Sequence, residues 1–194
     1  MLDSRLVRLG AQDCHPEPEG PFTGAVSVPM LRGLVDYVMV GHSERRAAGD
    51  TDEDIGRKVG AVAAAGLTPI LFVGEDEPTD AAFERTEERL TGGLARVDPA
   101  QQDVLGGYEP TCAIGAEKAA PADHVRGVVE QLKERLADLG SRDPRVIYGG
   151  TVNADSVESF ASLEVLDGVG ATRAGLEPEG LLRIVARVAE AAGG

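Results

Sequence analysis

The 194-residue sequence has little of what several functional classes require. Tryptophan is absent, aromatic residues make up only 4%, and basic residues number 19 against 33 acidic ones, so the formal net charge is −14. An acidic surface repels nucleic acid and anionic lipid, so we expect neither nucleic acid nor a membrane as a partner. No apolar run has the length of a transmembrane helix or the pattern of a signal peptide, which predicts a cytoplasmic protein.

Cysteine is also scarce. The two cysteines, Cys14 and Cys112, have no metal-binding spacing, and no CxxC pair occurs. The sequence therefore predicts a reducing compartment, no disulfide framework and no metal site. A chain of this length is expected to form a single domain over residues 1–194.

Six short apolar runs alternate with helical patterns along the chain. The runs cover residues 6–10, 37–41, 69–74, 104–108, 146–149 and 165–169, and the helices are predicted over residues 51–66, 79–97, 121–139, 153–163 and 178–192. The first of these helices has a capping box, the third has proline in its first turn, and Asn153 is expected to cap the fourth. Strict alternation predicts βαβ units and a parallel sheet buried on both faces.

Two α/β architectures fit this alternation, an open doubly wound sheet and a (β/α)8 barrel. No GxGxxG motif follows the first run, so a dinucleotide cofactor is not supported. Chemistry gathers at the carboxyl ends of the strands in both architectures.

Glu109 follows the fourth apolar run, within the segment YEPTCAIGAEK. Pro110 ends the strand, and the small apolar residues after it are typical of a flap over a site. A carboxylate beneath such a flap is partly desolvated, which favours its use as a general base. The alternative is a surface glutamate before a turn.

His42 follows the second run in the segment VGHSERR. If Ser43 begins a helix, the positive end of that helix faces the imidazole and disfavours its protonation. A neutral imidazole could donate a hydrogen bond to a substrate carbonyl. His15 and His124 have no evident partners, and we expect both side chains to be solvated.

Gly149, Gly150 and Thr151 follow the fifth run and precede a helix, an arrangement typical of a phosphate cradle, although a plain glycine turn is common. A base, a neutral electrophile and an anion site suit proton transfer beside a carbonyl on a small sugar phosphate. That chemistry is aldose–ketose isomerisation through an enediolate, and it requires no cofactor.

Several separated segments resemble the triosephosphate isomerase family in the same order. They are GAQDCHPEPEGPFTG, VGHSERR, AGLTPILFVGE, YEPTCAIGAEK and YGGTVN. The resemblance covers essentially the whole chain and implies a (β/α)8 TIM barrel that is incomplete at its N-terminus, with about six βα units present.

The resemblance also implies roles for individual residues. Glu109 matches the catalytic base and His42 the electrophile, while Ser43 and Glu44 match residues that support them. The phosphate contacts are implied at Gly115, Gly150, Thr151, Thr172 and Arg173. Thr23, in the loop from Asp13 to Met30, matches a residue that reaches a partner subunit, which implies a homodimer.

The chain departs from the family pattern at several positions. The resemblance begins at the family's third strand, so the strand-one Asn-x-Lys motif is missing and no lysine can be assigned its role. A truncated sequence and a natural short paralogue both remain open as explanations, and we favour truncation. Thr172 and Arg173 stand at positions where the family has Gly-Gly. Thr111 and Cys112 stand where the family has Val-Trp. Phe72 stands where the family has cysteine.

Three functions follow from these observations. The leading one interconverts dihydroxyacetone phosphate and D-glyceraldehyde 3-phosphate. The second, motivated by Arg173 and the altered flap, isomerises a four-carbon ketose phosphate such as erythrulose phosphate. The third is an inactive paralogue that only binds phosphate or a partner barrel.

Overall fold

The computed structural model describes residues 7–76, 82–111 and 119–192. Within these residues, six parallel strands form one sheet whose spatial order follows the chain. The strands are β1 (Gly10–Ala11), β2 (Tyr37–Val40), β3 (Thr68–Val73), β4 (Leu105–Tyr108), β5 (Arg145–Tyr148) and β6 (Gly168–Val169). The sheet curls into a partial barrel with helices at its side, which confirms an incomplete (β/α)8 barrel. A doubly wound sheet would instead reverse its strand order near the middle.

The helices of the described residues follow the predicted pattern. They are α1 (Val28–Leu31), α2 (Ser43–Ala47), α3 (Asp52–Ala64), α4 (Ala82–Gly93), α5 (Ala122–Asp138), α6 (Val157–Ala161) and α7 (Pro178–Ala192). The predicted capping box is present at α3, where the Thr51 hydroxyl accepts from the Asp54 N–H and the Asp54 carboxylate accepts from the Thr51 N–H. Within the part of the chain that the structure describes, no helix is both long and apolar enough to cross a membrane.

Several element boundaries differ from the prediction, among them the end of the second predicted helix at Gly93 and the sixth strand at Gly168–Val169. The first strand was predicted over residues 6–10, but it lies at Gly10–Ala11, and Val7 and Leu9 are exposed. Among the described residues β1 pairs only with β2, so the apolar run before it is not covered on both sides as a central strand would be. The predicted start of the second helix, residue 79, lies outside the described residues.

The fourth predicted helix is shorter than expected, because its regular part, α6, covers only Val157–Ala161. Asn153 caps the turn that leads into it, as predicted. Its side chain accepts from the N–H groups of Asp155 and Ser156, and its carbonyl accepts from the Val157 N–H at 2.9 Å. The Ser156 hydroxyl accepts in return from the Asn153 N–H at 3.1 Å.

The core packs both faces of the central strands. Val38, Leu71 and Val146 are fully buried in strands, as are Ile55 in α3 and Val129 in α5. Because all strands run parallel, the residues that follow β2, β4 and β5 meet at one edge of the sheet. That edge carries most of the predicted site residues.

Candidate active site

Glu109 lies immediately after β4, and its side chain is only 3% exposed. Its backbone N–H continues the ladder by donating to the Val73 carbonyl at 2.8 Å. Gly74 makes this approach possible, because a Cβ built there would lie 2.1 Å from the Glu109 carbonyl oxygen. The ends of β3 and β4 therefore hold the Glu109 backbone closely.

His42 precedes α2 and faces Glu109. Its Nε2 lies 2.8 Å from Glu109 Oε1, and its Nδ1 accepts from the Glu44 N–H at 3.3 Å. Because Nδ1 accepts, the neutral imidazole carries its proton on Nε2 and donates it to Glu109. The second carboxylate oxygen, Oε2, accepts from the Ser43 N–H at 3.0 Å. The start of α2 therefore provides bonds to both side chains.

The pKa of His42 lies above its ordinary value of 6.5. The hydrogen bond to Glu109 is the largest cause; burial opposes it, and the negative charges of Glu109 and Glu44 add to it. The prediction that the pKa of His42 is lowered is therefore wrong for this arrangement. The backbone of α2 does face the ring as predicted, but the carboxylate outweighs it.

A cleft of about 260 Å³ opens beside this pair. Its lining gathers predicted residues from four separate segments: His42, Glu44, Glu109, Gly149, Gly150, Thr151, Thr172 and Arg173. Ser43 contributes its N–H to Glu109 from behind the cleft. Gly115 lies outside the described residues.

The Gly149-Gly150 turn is shaped by its aromatic neighbours. A Cβ at Gly149 would lie 2.8 Å from the Phe72 ring, and one at Gly150 would lie 2.2 Å from the Tyr148 hydroxyl. Neither position has room for a side chain, so both are limited to glycine. Helix α6 starts only at Val157, so its N-terminus does not adjoin Thr151 as predicted.

Phe72 forms part of the support beneath His42. The two rings meet edge to face, with centroids 5.5 Å apart. Gly107 and Gly149 make room for the phenyl group, since a Cβ at either position would contact it closely. The aromatic side chain thus fills space on one side of the imidazole.

Arg173 joins the cleft lining from the segment that follows β6. It begins the 3-10 turn Arg173–Gly175, which Thr172 precedes, and both side chains are exposed. An exposed guanidinium in a cleft lining is suited to binding phosphate with two parallel hydrogen bonds.

A second polar cluster was not predicted. The buried Glu75 carboxylate is bonded to the Tyr108 hydroxyl at 2.9 Å and to His124 Nε2 at 2.9 Å. The expectation that His124 is solvated is therefore wrong. His124 shares a helix face with Val128 and Leu132 at four-residue spacing, and both are buried, so the sequence did contain a signal. His15 is also not simply solvated, because its ring packs on Phe22 with centroids 4.0 Å apart.

Lys58 is buried but does not line the cleft. It bonds to Asp13 at 2.9 Å and to Asp50 at 2.5 Å. These residues border a larger cavity of about 560 Å³ beside the loop from Asp13 to Met30. Lys58 is already paired with two carboxylates, so it is not available to act as the lysine of the strand-one motif.

Thr23 lies exposed in that same loop, away from the cleft lining. Phe22, Val26 and Met30, also in the loop, expose large apolar side chains. Among the described residues, no group of three or more histidine, cysteine, aspartate or glutamate side chains is arranged to hold a metal ion.

A profile described as triosephosphate isomerase matches residues 1–188. The chain belongs to the triosephosphate isomerase family. A triosephosphate isomerase from Roseiflexus castenholzii is 41% identical over 196 residues, covering 95% of this chain and 77% of the relative.

Two other relatives give the same result. The triosephosphate isomerase of Aquifex aeolicus is 37% identical, with 95% of this chain and 78% of the relative covered. That of Chlamydia caviae is also 37% identical, with 95% and 75% covered. The chain is thus a member of an isomerase family, as its motifs predicted.

Proposed function

We propose that this protein interconverts dihydroxyacetone phosphate and D-glyceraldehyde 3-phosphate through an enediolate. The observation that carries the proposal is the His42–Glu109 contact of 2.8 Å at a cleft whose lining also includes Arg173. A base, a hydrogen-bond donor and an anion-binding group thereby face one volume of a size suited to a three-carbon phosphate. The family membership supports the same reaction class.

Glu109 acts as the base in this mechanism. It removes a proton from the carbon next to the substrate carbonyl and returns it to the neighbouring carbon, so the enzyme ends unchanged. Both carboxylate oxygens are bonded here, to His42 and to the Ser43 N–H. The substrate must therefore displace at least one of these bonds before Glu109 can act.

His42 acts as the electrophile. Its Nε2–H, which now donates to Glu109, turns to the substrate oxygens and stabilises the enediolate as negative charge develops. The ring also relays the hydroxyl proton from one substrate oxygen to the other, so that each carbon and oxygen ends with the protons of the product. The Glu44 N–H on Nδ1 fixes the tautomer that carries the proton on Nε2. Thr151, Thr172, Arg173 and the backbone at Gly150 hold the phosphate, and Gly115 is expected to join them.

Isomerase activity tests the proposal directly. The purified chain should convert glyceraldehyde 3-phosphate to dihydroxyacetone phosphate in a coupled assay. In D2O the product should gain deuterium at the carbon to which Glu109 returns the proton. A fusion that adds the family's strand-one Asn-x-Lys segment before Met1 is the matched comparison. If neither form turns over any sugar phosphate but both bind inorganic phosphate, the inactive paralogue is the correct reading.

A four-carbon ketose phosphate is the second candidate substrate. Arg173 favours it, because a long cationic side chain in the cleft lining changes the end of the pocket that measures substrate length. Comparison of kcat/KM for erythrulose phosphate and the triose phosphates separates the two. Arg173→Gly should lower the preference for the larger substrate, and a strong preference for tetrulose phosphate in the wild-type protein would replace the leading assignment.

We also propose a homodimer formed through the loop from Asp13 to Met30. The exposed apolar side chains of this loop, including Met30, support it, and Thr23 would then reach the partner's site. Sedimentation equilibrium should show a dimer that Met30→Asp dissociates. Leu182→Asp, an equally exposed apolar position on α7, is the control. A wild-type monomer at micromolar concentration would reject the interface.

A further inference from the structure

Glu75 is the least exposed acidic residue among those described, at 1%. It follows β3 and lies behind the cleft without lining it. The Tyr108 hydroxyl donates to its carboxylate at 2.9 and 3.1 Å, and Thr86 Oγ1 lies 3.4 Å away. A carboxylate so deeply buried needs such donors to remain in place.

His124 supplies a further bond from α5. Its Nε2 lies 2.9 Å from Glu75 Oε1 and 3.1 Å from the Tyr108 hydroxyl. Since a carboxylate oxygen can only accept from the ring, Nε2 carries the proton. The histidine thus ties the first turn of α5 to the ends of β3 and β4.

The same glutamate also holds the chain on both sides of Glu109. Its side chain bonds to Tyr108, the residue before Glu109. Its backbone carbonyl accepts from the N–H of Thr111, two residues after Glu109, at 3.0 Å. Any displacement of Glu75 is therefore passed to the short stretch that carries the proposed base.

We propose that His124 is a positioning residue, which acts through Glu75 to fix the stretch from Tyr108 to Thr111 and hence the Glu109 carboxylate. Its effect on catalysis rests on the proposed isomerase function, whereas its effect on the backbone does not. His124 does not line the cleft, so it does not touch the substrate. Without its N–H, the buried carboxylate lacks a donor and must move or admit water, and the backbone of residue 75 moves with it.

The first test measures amide hydrogen exchange by NMR in three variants. His124→Ala removes the donor, and His124→Gln keeps an N–H at similar reach. Asp123→Asn changes the adjacent residue, whose side chain is 89% exposed and pairs with Arg126, so it is the control. We expect the Thr111 amide to exchange about tenfold faster in His124→Ala and at nearly the wild-type rate in the other two.

The Val38 and Val40 amides in β2 report whether each variant is folded. If His124→Ala does not fold, His124→Asn takes its place, because its amide is too short to reach Glu75. Unchanged exchange at Thr111 in a folded variant without the donor would overturn the proposal. Failure of the glutamine variant to restore protection would overturn it as well.

The second test is kinetic. His124→Ala should lower kcat about tenfold and leave KM within about twofold, because the base is misplaced while phosphate binding is intact. Glutamine should restore most of kcat. A rise in KM alone would contradict the proposal. If the wild-type protein shows no isomerase activity, the proposed function fails, and the exchange result still decides the role of His124.

Discussion

Two histidine–glutamate pairs lie on neighbouring strand ends of this protein, and they differ in what surrounds the carboxylate. The Nε2–Oε1 distances are nearly equal, 2.8 Å for His42–Glu109 and 2.9 Å for His124–Glu75. The histidines are also similarly exposed, at 23% and 31%. Contact geometry alone therefore does not distinguish a reactive pair from a supporting one.

The two pairs differ in what bonds the second carboxylate oxygen of the glutamate and in whether that glutamate lines a cavity. Glu109 lines the cleft, and its second oxygen is held by a backbone N–H at the start of α2. Glu75 lines none of the cavities described here, and its other partners are the side chains of Tyr108 and Thr86. The first carboxylate can exchange its partners for a substrate, whereas the second can only hold its neighbours.

The largest expected effect comes from Glu109→Gln, which keeps the shape and removes the base. We predict that kcat of the active form falls by at least ~10²–10⁴-fold, the range typical of general base catalysis. The melting temperature should change little, because the amide can still accept from the Ser43 N–H. Turnover near the wild-type level would show that another group moves the proton.

His42→Gln should have the next largest effect on rate. Loss of a donor that stabilises developing charge typically costs about 10²–10³ in kcat. The same substitution at His124 should cost far less, since glutamine preserves the bond to Glu75. If His42→Gln and His124→Gln lowered kcat equally, the distinction between a reactive pair and a supporting pair would be wrong.

Glu75→Gln should lower stability, in addition to the loss of kcat expected when Glu75 no longer fixes the stretch that carries Glu109. The buried amide would place an N–H against the Tyr108 hydroxyl or His124, which leaves buried polar groups poorly paired and costs roughly 1–3 kcal/mol of unfolding free energy. Urea denaturation measures this loss, with Glu109→Gln as the matched carboxyl-to-amide change. A larger loss in the Glu109 variant would invert the roles assigned to the two glutamates.

The smallest effect is the pH dependence of the His42–Glu109 pair. The folded-state pKa of His42 is raised above 6.5, chiefly by the hydrogen bond to Glu109, so the pair stabilises the protein fully below pH 6.5. This contribution is lost as the pH rises through the folded-state value. The stability difference between wild type and His42→Gln should thus be larger at pH 6 than at pH 9, by up to about 1 kcal/mol. A stability difference that grows as the pH rises would contradict a raised pKa of His42 in the folded state.

The central strands and the meeting of His42 with Glu109 could be predicted from the sequence. Strands buried on both faces read as continuous apolar runs, and parallel strands bring their following residues to one edge. The position of β1 could not be predicted in the same way, because Val7 and Leu9 are apolar but lie outside the strand and remain exposed. An edge strand lacks the second neighbour that would bury such a run.

The phosphate-binding role of Thr172 and Arg173 comes from the resemblance, whereas the sixth apolar run places them only at the carboxyl end of a strand. The Glu75 cluster was missed because it depends on how α5 is rotated against the sheet, and a single polar residue in a first turn does not define that rotation. The spacing of His124 to Val128 and Leu132 could have placed it on the buried face of α5, but it does not identify Glu75 as the partner. The direction expected for the pKa of His42 was wrong because the sequence showed the helix end but not the distance to Glu109.

The close approach at Gly74 has a consequence for anyone who wishes to stabilise this protein. Replacing glycine with alanine is a common route to greater stability, and Gly127 in α5 is a suitable position, since a Cβ there would meet no atom within 4 Å. That change should gain about 0.5–1 kcal/mol through helix propensity. At Gly74 the same methyl group would push β3 and β4 apart and displace the proposed base, so thermostability screens should leave that position untouched.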